Sequence, residues 1–307
     1  MKTEFETPIA FFIFNRPETT ALVFNEIRKI RPKKLLIVAD GPRLNVLGED
    51  LRCSKTREVV DAVDWNCEVL SNYSDVNMGC KARMSTGIDW VFSEVSEAIF
   101  LEDDCLPALS FFRFCEEMLS KYRLDQRVGM ISGDNFNMGV KVTNASYYFS
   151  KNTHIWGWAS WADRWVSKYD VEMKSWQAIK EQGLFESLTG GLSSLSPLKE
   201  AFDLTHSGLL NTWDYQYAFL NLIEGRLNVI PEVNLVKNIG FGSDATHTKK
   251  ITNEANLDSY EMEFPITHPV GMFQILGSND LHGANQGLFF KVARSLKKYL
   301  YFVKNLF

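Results

Sequence analysis

Residues 97–107 read Glu-Ala-Ile-Phe-Leu-Glu-Asp-Asp-Cys-Leu-Pro. Ala98 to Leu101 form a short apolar run, the pattern of a buried strand. The run ends in three consecutive acids, Glu102, Asp103 and Asp104, and Pro107 then stops further extension. Carboxylates at the C-terminal end of an α/β strand lie at the mouth of the crevice where such sheets bind ligands. Adjacent acids repel one another unless a cation or hydrogen-bond donors compensate. Hard divalent cations take oxygen ligands, and Mg2+ commonly sits between one or two carboxylates and substrate phosphates. The stretch therefore predicts a metal–diphosphate site. The plainer alternative is a solvated acidic turn.

Working outward from this strand, the first hundred residues alternate strand and helix. Pro8–Phe14 is a continuous apolar run, as in a central parallel strand. Asn15-Arg16-Pro17 ends it, and Pro17 suits the first turn of a helix running to Ile30. Lys34–Ala39 is a second buried strand, stopped by Asp40-Gly41-Pro42. A helix over Glu49–Val63, a short strand over Cys67–Leu70 and a helix over Cys80–Val95 follow. This alternation predicts a doubly wound, mostly parallel α/β sheet.

The second half is less regular. Helices are expected over Ser110–Tyr122 and Asn211–Glu224, and strands over Val128–Ser132, Tyr147–Ser150 and Leu227–Ile230. Trp156–Lys168 has tryptophans at 158, 161 and 165, which a helix would gather on one face. Glu181–Ser196, with Gly190-Gly191 and several serines, reads as a loop. Residues after about 250 change character, so the expected division is a catalytic unit over 1–250 and an extension over 251–307.

Composition narrows the function classes. The chain has 307 residues, 45% hydrophobic and 23% charged, which is ordinary for a globular protein. A net charge of −5 argues against a broad nucleic-acid-binding surface. The five cysteines are odd in number and lack CxxC spacing, so neither a disulfide framework nor a zinc site is indicated. With no signal-peptide pattern and no run of transmembrane length, a cytoplasmic location is expected.

Further polar residues belong with the acid triplet. Arg16 and Asp40 each follow one of the first two strands, on the same sheet edge as the acids. The planar fork of Arg16 suits phosphate, and Asp40 suits an acceptor role toward a base or ribose. Lys81 and Arg83, early in a helix, are placed to meet phosphate with help from the helix dipole.

These residues resemble a known group. Phe14-Asn15-Arg16-Pro17, Val38-Ala39-Asp40-Gly41 and Phe100-Leu101-Glu102-Asp103-Asp104, followed by a Pro and a Phe-Phe pair, look like the GT-A nucleotide-sugar glycosyltransferases. The most similar type is the inverting N-acetylglucosaminyltransferase I, in a bacterial polysaccharide-building form. Gly157-Trp158 with Trp165, and Trp213-Asp214, are similar to that family's Gly-Trp and Trp-Asp segments. The resemblance covers about residues 8–225 and implies a Rossmann-like GT-A fold.

The resemblance also implies roles. Arg16 and Asp40 would hold the nucleotide, and Glu102 and Asp103 the ribose and donor sugar. Asp104 would coordinate Mn2+ or Mg2+ on the diphosphate, and Asp214 would deprotonate the acceptor hydroxyl. The family's basic residue after the third strand has only Lys81 and Arg83 as counterparts here. His247, in a late Gly-rich loop, is a second candidate metal ligand, because some GT-A enzymes use a late His in this way. The chemistry agrees, since glycosyl transfer needs a cation-stabilised leaving group and a base near the nucleophile. Without the resemblance, the preferred reading of Asp214 is a helix-start acid favoured by the dipole.

Trp156, Trp158 and Trp213 are expected at the acceptor site, where sugars stack on indoles. The plainer reading of these tryptophans is core packing. The expected activity is inverting transfer of a hexosyl or N-acetylhexosaminyl group from a nucleotide-diphosphate sugar, a UDP-sugar first. The acceptor would be a hydroxyl of a glycan or lipid-linked glycan. Two alternatives stand beside it: a sugar-nucleotidyltransferase, and a non-catalytic nucleotide-sugar or glycan-binding protein of the same fold.

The C-terminus adds a partner. Residues 288–307 carry five basic residues and no acidic one. On a helical projection Lys291, Arg294 and Lys298 fall on one side, and Val292, Leu296, Leu300 and Val303 on the other. Such an appended helix suits the surface of an anionic bilayer or packs on its own domain or a second subunit. The first reading predicts peripheral attachment to the inner membrane face.

Overall fold

The computed structural model describes residues 5–191, 195–240 and 257–275. Among the described residues are ten strands: β1 (Ile9–Ile13), β2 (Lys34–Ala39), β3 (Glu68–Tyr73), β4 (Glu97–Glu102), β5 (Cys105–Pro107), β6 (Val128–Ser132), β7 (Tyr147–Ser150), β8 (Trp158–Trp161), β9 (Leu227–Pro231) and β10 (Val236–Asn238). Eight of them form one sheet in the order β3-β2-β1-β4-β8-β6-β9-β7, and β10 pairs with β5 in a small second sheet. Six strands of the large sheet run one way, and only β8 and β7 oppose them. The chain is thus α/β and Rossmann-like, with the mostly parallel sheet expected of a GT-A arrangement.

Helices cover both faces, because the central strands are apolar on both sides. β1 and β4 are buried along nearly their whole length. On one face α1 (Pro17–Ile30) and α4 (Leu109–Tyr122) pack Val23, Ile27, Phe111 and Met118 against Phe11, Ile37 and Leu101. On the other, α3 (Cys80–Glu94) packs Met84, Ile88 and Val91 against Phe12, Val38 and Phe100. The helix α2 (Glu49–Val60) lies beside α1 and buries Cys53 and Val60.

The first half follows the sequence expectation closely and the second departs from it. The tryptophan stretch is not one helix. Trp158–Trp161 is the antiparallel strand β8, and only Ala162–Trp165 (α5) turns helical. The adjacent strands β4 and β6 offer hydrogen-bond partners on both sides, which overrides the helical spacing of the indoles. Gly157, at φ +70°, breaks the chain sharply before β8, and a Cβ there would meet Val236 at 2.7 Å. Three short helices, α6 (Trp176–Glu181), α7 (Phe185–Thr189) and α8 (Pro197–His206), enclose a separate apolar cluster of Met173, Trp176, Phe202 and Phe219 with α9 (Asp214–Ile223). The expected loop over Glu181–Ser196 therefore contains a helix, and α8 had no counterpart in the sequence expectation.

The described part of the C-terminal extension is packed on the same core. Met262 and Ile266 join the cluster under α4, and Glu261 accepts hydrogen bonds from the Leu109 and Ser110 backbone at 3.1 and 2.8 Å. Thr267–Ile275 then runs along the outer side of β7, with Ile275 N–H donating to Phe149 O at 3.2 Å. No described helix is long and apolar enough to cross a membrane. His247 and residues 288–307 lie outside the described residues.

Candidate active site

The parallel strands β1, β2, β4 and β6 all point their C-terminal ends at one edge of the sheet. Ligand crevices of open α/β sheets form there, and polar residues converge there in this chain. Residues 14–16 follow β1, Asp40 follows β2, Glu102 closes β4 and Asp134 lies two residues beyond β6. The acid triplet begins at the last residue of β4, where the strand register places Glu102 opposite Phe12 of β1.

Asp103 turns inward and accepts the Phe14 backbone N–H at 2.9 Å. Arg16 reaches across from the start of α1, 2.6 Å from Asp104 Oδ2 and 3.5 Å from Asp103 Oδ1. The arginine compensates the acids only in part. Burial, with added repulsion from Asp104, pushes Asp103 up to about 7 against the pull of Arg16. Burial also pushes Glu102 well above the usual carboxylate range, aided by Asp104, Asp103 and Asp214. Burial would lower the guanidinium of Arg16, but Asp103 and Asp104 outweigh it and raise it. Burial and mutual repulsion together make these carboxyls favour protons or further cations.

Asp214 joins this group through the fold alone, being far from the triplet in sequence. It is the first residue of α9, and Thr212 Oγ1 donates a hydrogen bond to its Oδ1. Its charge is felt at Glu102, at Cys80 and at Tyr169, each of which burial raises first. Cys80, the first residue of α3, thus sits among Glu102, Asp214, Asp40 and Asp104. Asn211 ties the two elements together by accepting the Lys81 N–H at 3.2 Å.

Asp40 is brought to the same edge but its oxygens are already used. Oδ1 accepts from Gly41 N and Met78 N at 2.8 and 2.9 Å, and Oδ2 from Asn77 Nδ2 and Gly79 N at 3.0 and 3.1 Å. Four acceptor sites meet four donors, so Asp40 fixes the loop into α3. Glu49 does the same beside it. Fully buried, it accepts from Asn15 Nδ2 at 2.8 Å and Arg43 N at 2.7 Å and pairs with the Arg43 guanidinium. Burial opposes its charge, but the bonds from Arg43 and Asn15 win and lower its pKa.

The basic candidates after β3 are spoken for. Arg83 is buried and bonded to Asn72 Oδ1 at 2.8 Å, and burial lowers its pKa. Lys81 Nζ lies 3.2 Å from Glu172. Of the acceptor tryptophans, Trp158 and Trp213 are each only 2% exposed. Trp158 stacks on Phe100 at 4.1 Å, and its ring centroid is 5.7 Å from that of Trp213, so both serve packing here. Trp156 is half-buried, and its indole meets Phe136 edge-on at 5.2 Å.

Asp134 was missed in the sequence. It is fully buried; Oδ2 accepts Trp156 N–H at 2.8 Å, while Oδ1 has no partner among the described residues. Burial holds its pKa well above the usual carboxylate range. The rule that singled out Glu102–Asp104, an acid just past a buried strand, applies equally to Gly133-Asp134. Glu49, Asn77 and Thr212 carried no such signal, because none of them follows a buried strand.

Among the described residues no set of three or more His, Cys, Asp or Glu side chains makes a ready-built metal cage. The donor chemistry still fits a divalent cation that arrives with a diphosphate, which needs only one or two carboxylates from the protein. Asp104 already holds a cationic group, Arg16, at 2.6 Å. Gly240 lets the backbone approach the same carboxylate closely, since a Cβ there would fall 2.1 Å from Asp104 Oδ2.

No protein-family model matches the chain, and no curated protein matches it. Solved structures that resemble it include three enzymes of nucleotide-sugar chemistry. One is mannosyltransferase PcManGT from Pyrobaculum calidifontis in complex with GDP-Man and Mn2+, at 12% identity and TM-score 0.34, covering 50% of this chain and 44% of that one. The second is a UDP-glucose pyrophosphorylase complexed with UDP-glucose, at 9% identity and TM-score 0.36, covering 73% and 90%. The third is mouse xyloside xylosyltransferase 1 in its apo form, at 8% identity and TM-score 0.35, covering 70% and 81%. The match thus spans less than half of the mannosyltransferase chain. None of the three is an N-acetylglucosaminyltransferase I. Likenesses this distant carry no argument of their own, and the site geometry bears the functional one.

Proposed function

We propose that the chain is an inverting, metal-dependent glycosyltransferase, with a catalytic unit over 1–250. It moves a hexosyl or N-acetylhexosaminyl group from a nucleotide-diphosphate sugar, a UDP-sugar first, to a hydroxyl of a glycan or lipid-linked glycan. One observation carries this reading. The acids Glu102, Asp103 and Asp104, held against Arg16, lie at the sheet edge where Asn211, three residues before Asp214, accepts the Lys81 N–H at the start of α3, and the charge of Asp214 reaches Glu102. This is the pairing that glycosyl transfer needs: a cation-binding side for the leaving diphosphate and a separate carboxylate for the nucleophile.

Asp104 would hold Mn2+ or Mg2+, with His247 as the second candidate ligand. A cation held there would supply positive charge to stabilise a diphosphate leaving group. Arg16 binds a diphosphate oxygen by its planar fork. Glu102 and Asp103 accept hydrogen bonds from ribose and donor-sugar hydroxyls or, protonated, donate them. Asp214 takes the proton of the acceptor hydroxyl as that oxygen bonds to the anomeric carbon. The bond from that carbon to the diphosphate oxygen breaks on the opposite face, so the centre inverts and a nucleoside diphosphate departs. Trp156 offers the half-exposed indole on the acceptor side. Asp40 contributes by fixing the loop at Asn77–Gly79, and Arg83 by fixing Asn72.

Thermal-shift and hydrolysis assays with a panel of nucleotide sugars test the reading, because a bound donor raises the melting temperature by mass action. A Mn2+-dependent shift, donor turnover and an inverted product are expected. Shift without turnover would favour a binding protein, and pyrophosphate release from a nucleoside triphosphate would favour a nucleotidyltransferase. The basic segment 288–307 supports a cytoplasmic enzyme attached to the inner face of a membrane, where a lipid-linked acceptor would lie.

A further inference from the structure

Asp134 carries a carboxyl group that the transfer chemistry leaves unused. It sits in a clamp between two loops. Asp134 N–H donates to Ser132 Oγ at 3.0 Å, and Ser132 Oγ donates in turn to His154 O at 3.0 Å. Gly133 N–H donates to Gly157 O at 2.7 Å, and Trp156 N–H to Asp134 Oδ2 at 2.8 Å. A third segment anchors the clamp. Asn135 N–H donates to Asn234 Oδ1 at 3.0 Å, and the Asn135 side-chain amide donates to Pro231 O and Glu232 O, both at 2.7 Å. Residues 132–137 and 153–157 are thereby held as one unit, in which the Phe136 ring stands edge-on to both His154 and Trp156, at 4.7 and 5.2 Å.

This unit belongs to the ligand edge of the sheet. Leu235 N–H donates to Gly133 O and Ile239 N–H to Asp104 O, both at 2.8 Å. Four residues of chain separate the two ties, a span of at most roughly 14 Å. The clamp therefore lies a short way along β10 from Asp104.

Holding the Trp156 N–H takes one oxygen, and Asp134 brings two. It is fully buried, and its Oδ1 has no partner among the described residues. A buried polar atom left in that state costs about 1–3 kcal/mol, and a single hydroxyl would hold the same N–H without it. Such an oxygen is explained by a ligand group that completes it. Beside it, the Trp156 indole is partly exposed. An indole offers a broad apolar face, and a carboxyl offers hydrogen bonds. A sugar ring matches both, with C–H groups on its faces and hydroxyls around its rim. Neither segment contains a lysine or an arginine, so an anionic ligand would meet an acid and no counter-charge from them.

We propose that Asp134 and Trp156 form a subsite for an uncharged pyranose ring of the acceptor glycan, stacked on the Trp156 indole and hydrogen-bonded to Asp134 Oδ1. Through Oδ2, Asp134 also positions Trp156. Through Oδ1 it accepts a bond from a sugar hydroxyl or, protonated, donates one. The inference rests on the glycosyltransferase reading only for calling this sugar the acceptor.

The test is saturation-transfer NMR of the full chain with the methyl glycosides of glucose, galactose, mannose and N-acetylglucosamine. Wild type should bind at least one of them. Trp156→Ala and Asp134→Ala should each weaken that binding about tenfold. Asp134→Asn should restore it to within about twofold, because an amide still takes the Trp156 N–H and still bonds a hydroxyl. The loss should be confined to the glycoside, with the thermal shift produced by a nucleotide sugar as the control. Methyl glucuronide, the same ring with one negative charge, should bind more weakly than methyl glucoside. A wild type that binds none of the four glycosides overturns the proposal. So does a Trp156→Ala variant that binds like wild type, which keeps the test decisive if Asp134→Ala fails to fold. Loss in Asp134→Asn equal to that in Asp134→Ala removes the assigned role of Asp134, and tighter binding of the glucuronide removes the preference for an uncharged ring. A wild type that binds glycosides but no nucleotide sugar would count against the glycosyltransferase reading alone.

Discussion

Two groups of carboxylates share one edge of the sheet and behave in opposite ways. Asp40 and Glu49 are ringed by donors: four hydrogen bonds reach Asp40, and Arg43 with Asn15 lowers the pKa of Glu49 despite its burial. Asp103 and Asp134 are buried and Glu102 is partly buried, with too few donors, and each is raised. The first group holds the loops that follow β1 and β2 and the loop into α3 in place. The second stores unmet demand for cations or donors, which is what a substrate site presents before it is filled. Burial of an acid therefore does not mark function; the balance of its partners does.

The largest expected effect is on turnover. Asp104→Ala should lower donor turnover by about a thousandfold, comparable to losing a key charge-stabilising group, while changing the melting temperature less than any substitution at Asp40. Comparable unfolding of the two variants in denaturant would erase the distinction between the groups. Asp214→Asn keeps size and removes basicity. Its turnover should fall by roughly 10²–10⁴-fold with donor affinity, read by thermal shift, nearly unchanged. An equal loss of donor affinity would move Asp214 from the acceptor side to the donor side.

A smaller effect is expected in stability. Asp40→Ala strands four donors at a buried loop and should cost about 3 kcal/mol in urea unfolding. A cost below about 0.5 kcal/mol would show that the loop at Asn77–Gly79 holds itself.

The smallest effects are in pH dependence, and the two groups should differ in sign. Glu49 is lowered from 4.5, so its contribution is present above that value and lost as pH falls through the folded value. Asp134 is raised well above 3.8, so its contribution is present below that value and lost as pH rises through the folded one. Glu49→Gln should flatten the acid limb of a melting-temperature profile, and Asp134→Asn the limb toward higher pH. Matching profiles for the two variants would contradict the assignment.

The strands and helices up to Glu102 were legible because continuous apolar runs and amphipathic stretches alternate there, and each run ends in a charged or turn residue. Legibility fell where tertiary partners overrode local spacing. Trp158–Trp161 has helical indole intervals yet forms β8, because β4 and β6 leave a strand's width between them. Trp158 and Trp213 looked like sugar platforms and are packing residues, because an indole's exposure depends on what lies across from it. In Trp158 that is Phe100.

By itself the sequence determined the α/β class, the strand that ends in three acids, and the basic, apolar character of residues 288–307. These follow from composition and periodicity along the chain. Only the tertiary structure decided which carboxylates are satisfied. It saturates Asp40 with donors from Gly41 and the Asn77–Gly79 loop, gives Asp134 Oδ1 no partner among the described residues, and brings Asp214 within electrostatic reach of Glu102. The physical reason is that a residue's type fixes what it can bond, whereas its partners come from distant segments that the fold alone brings together.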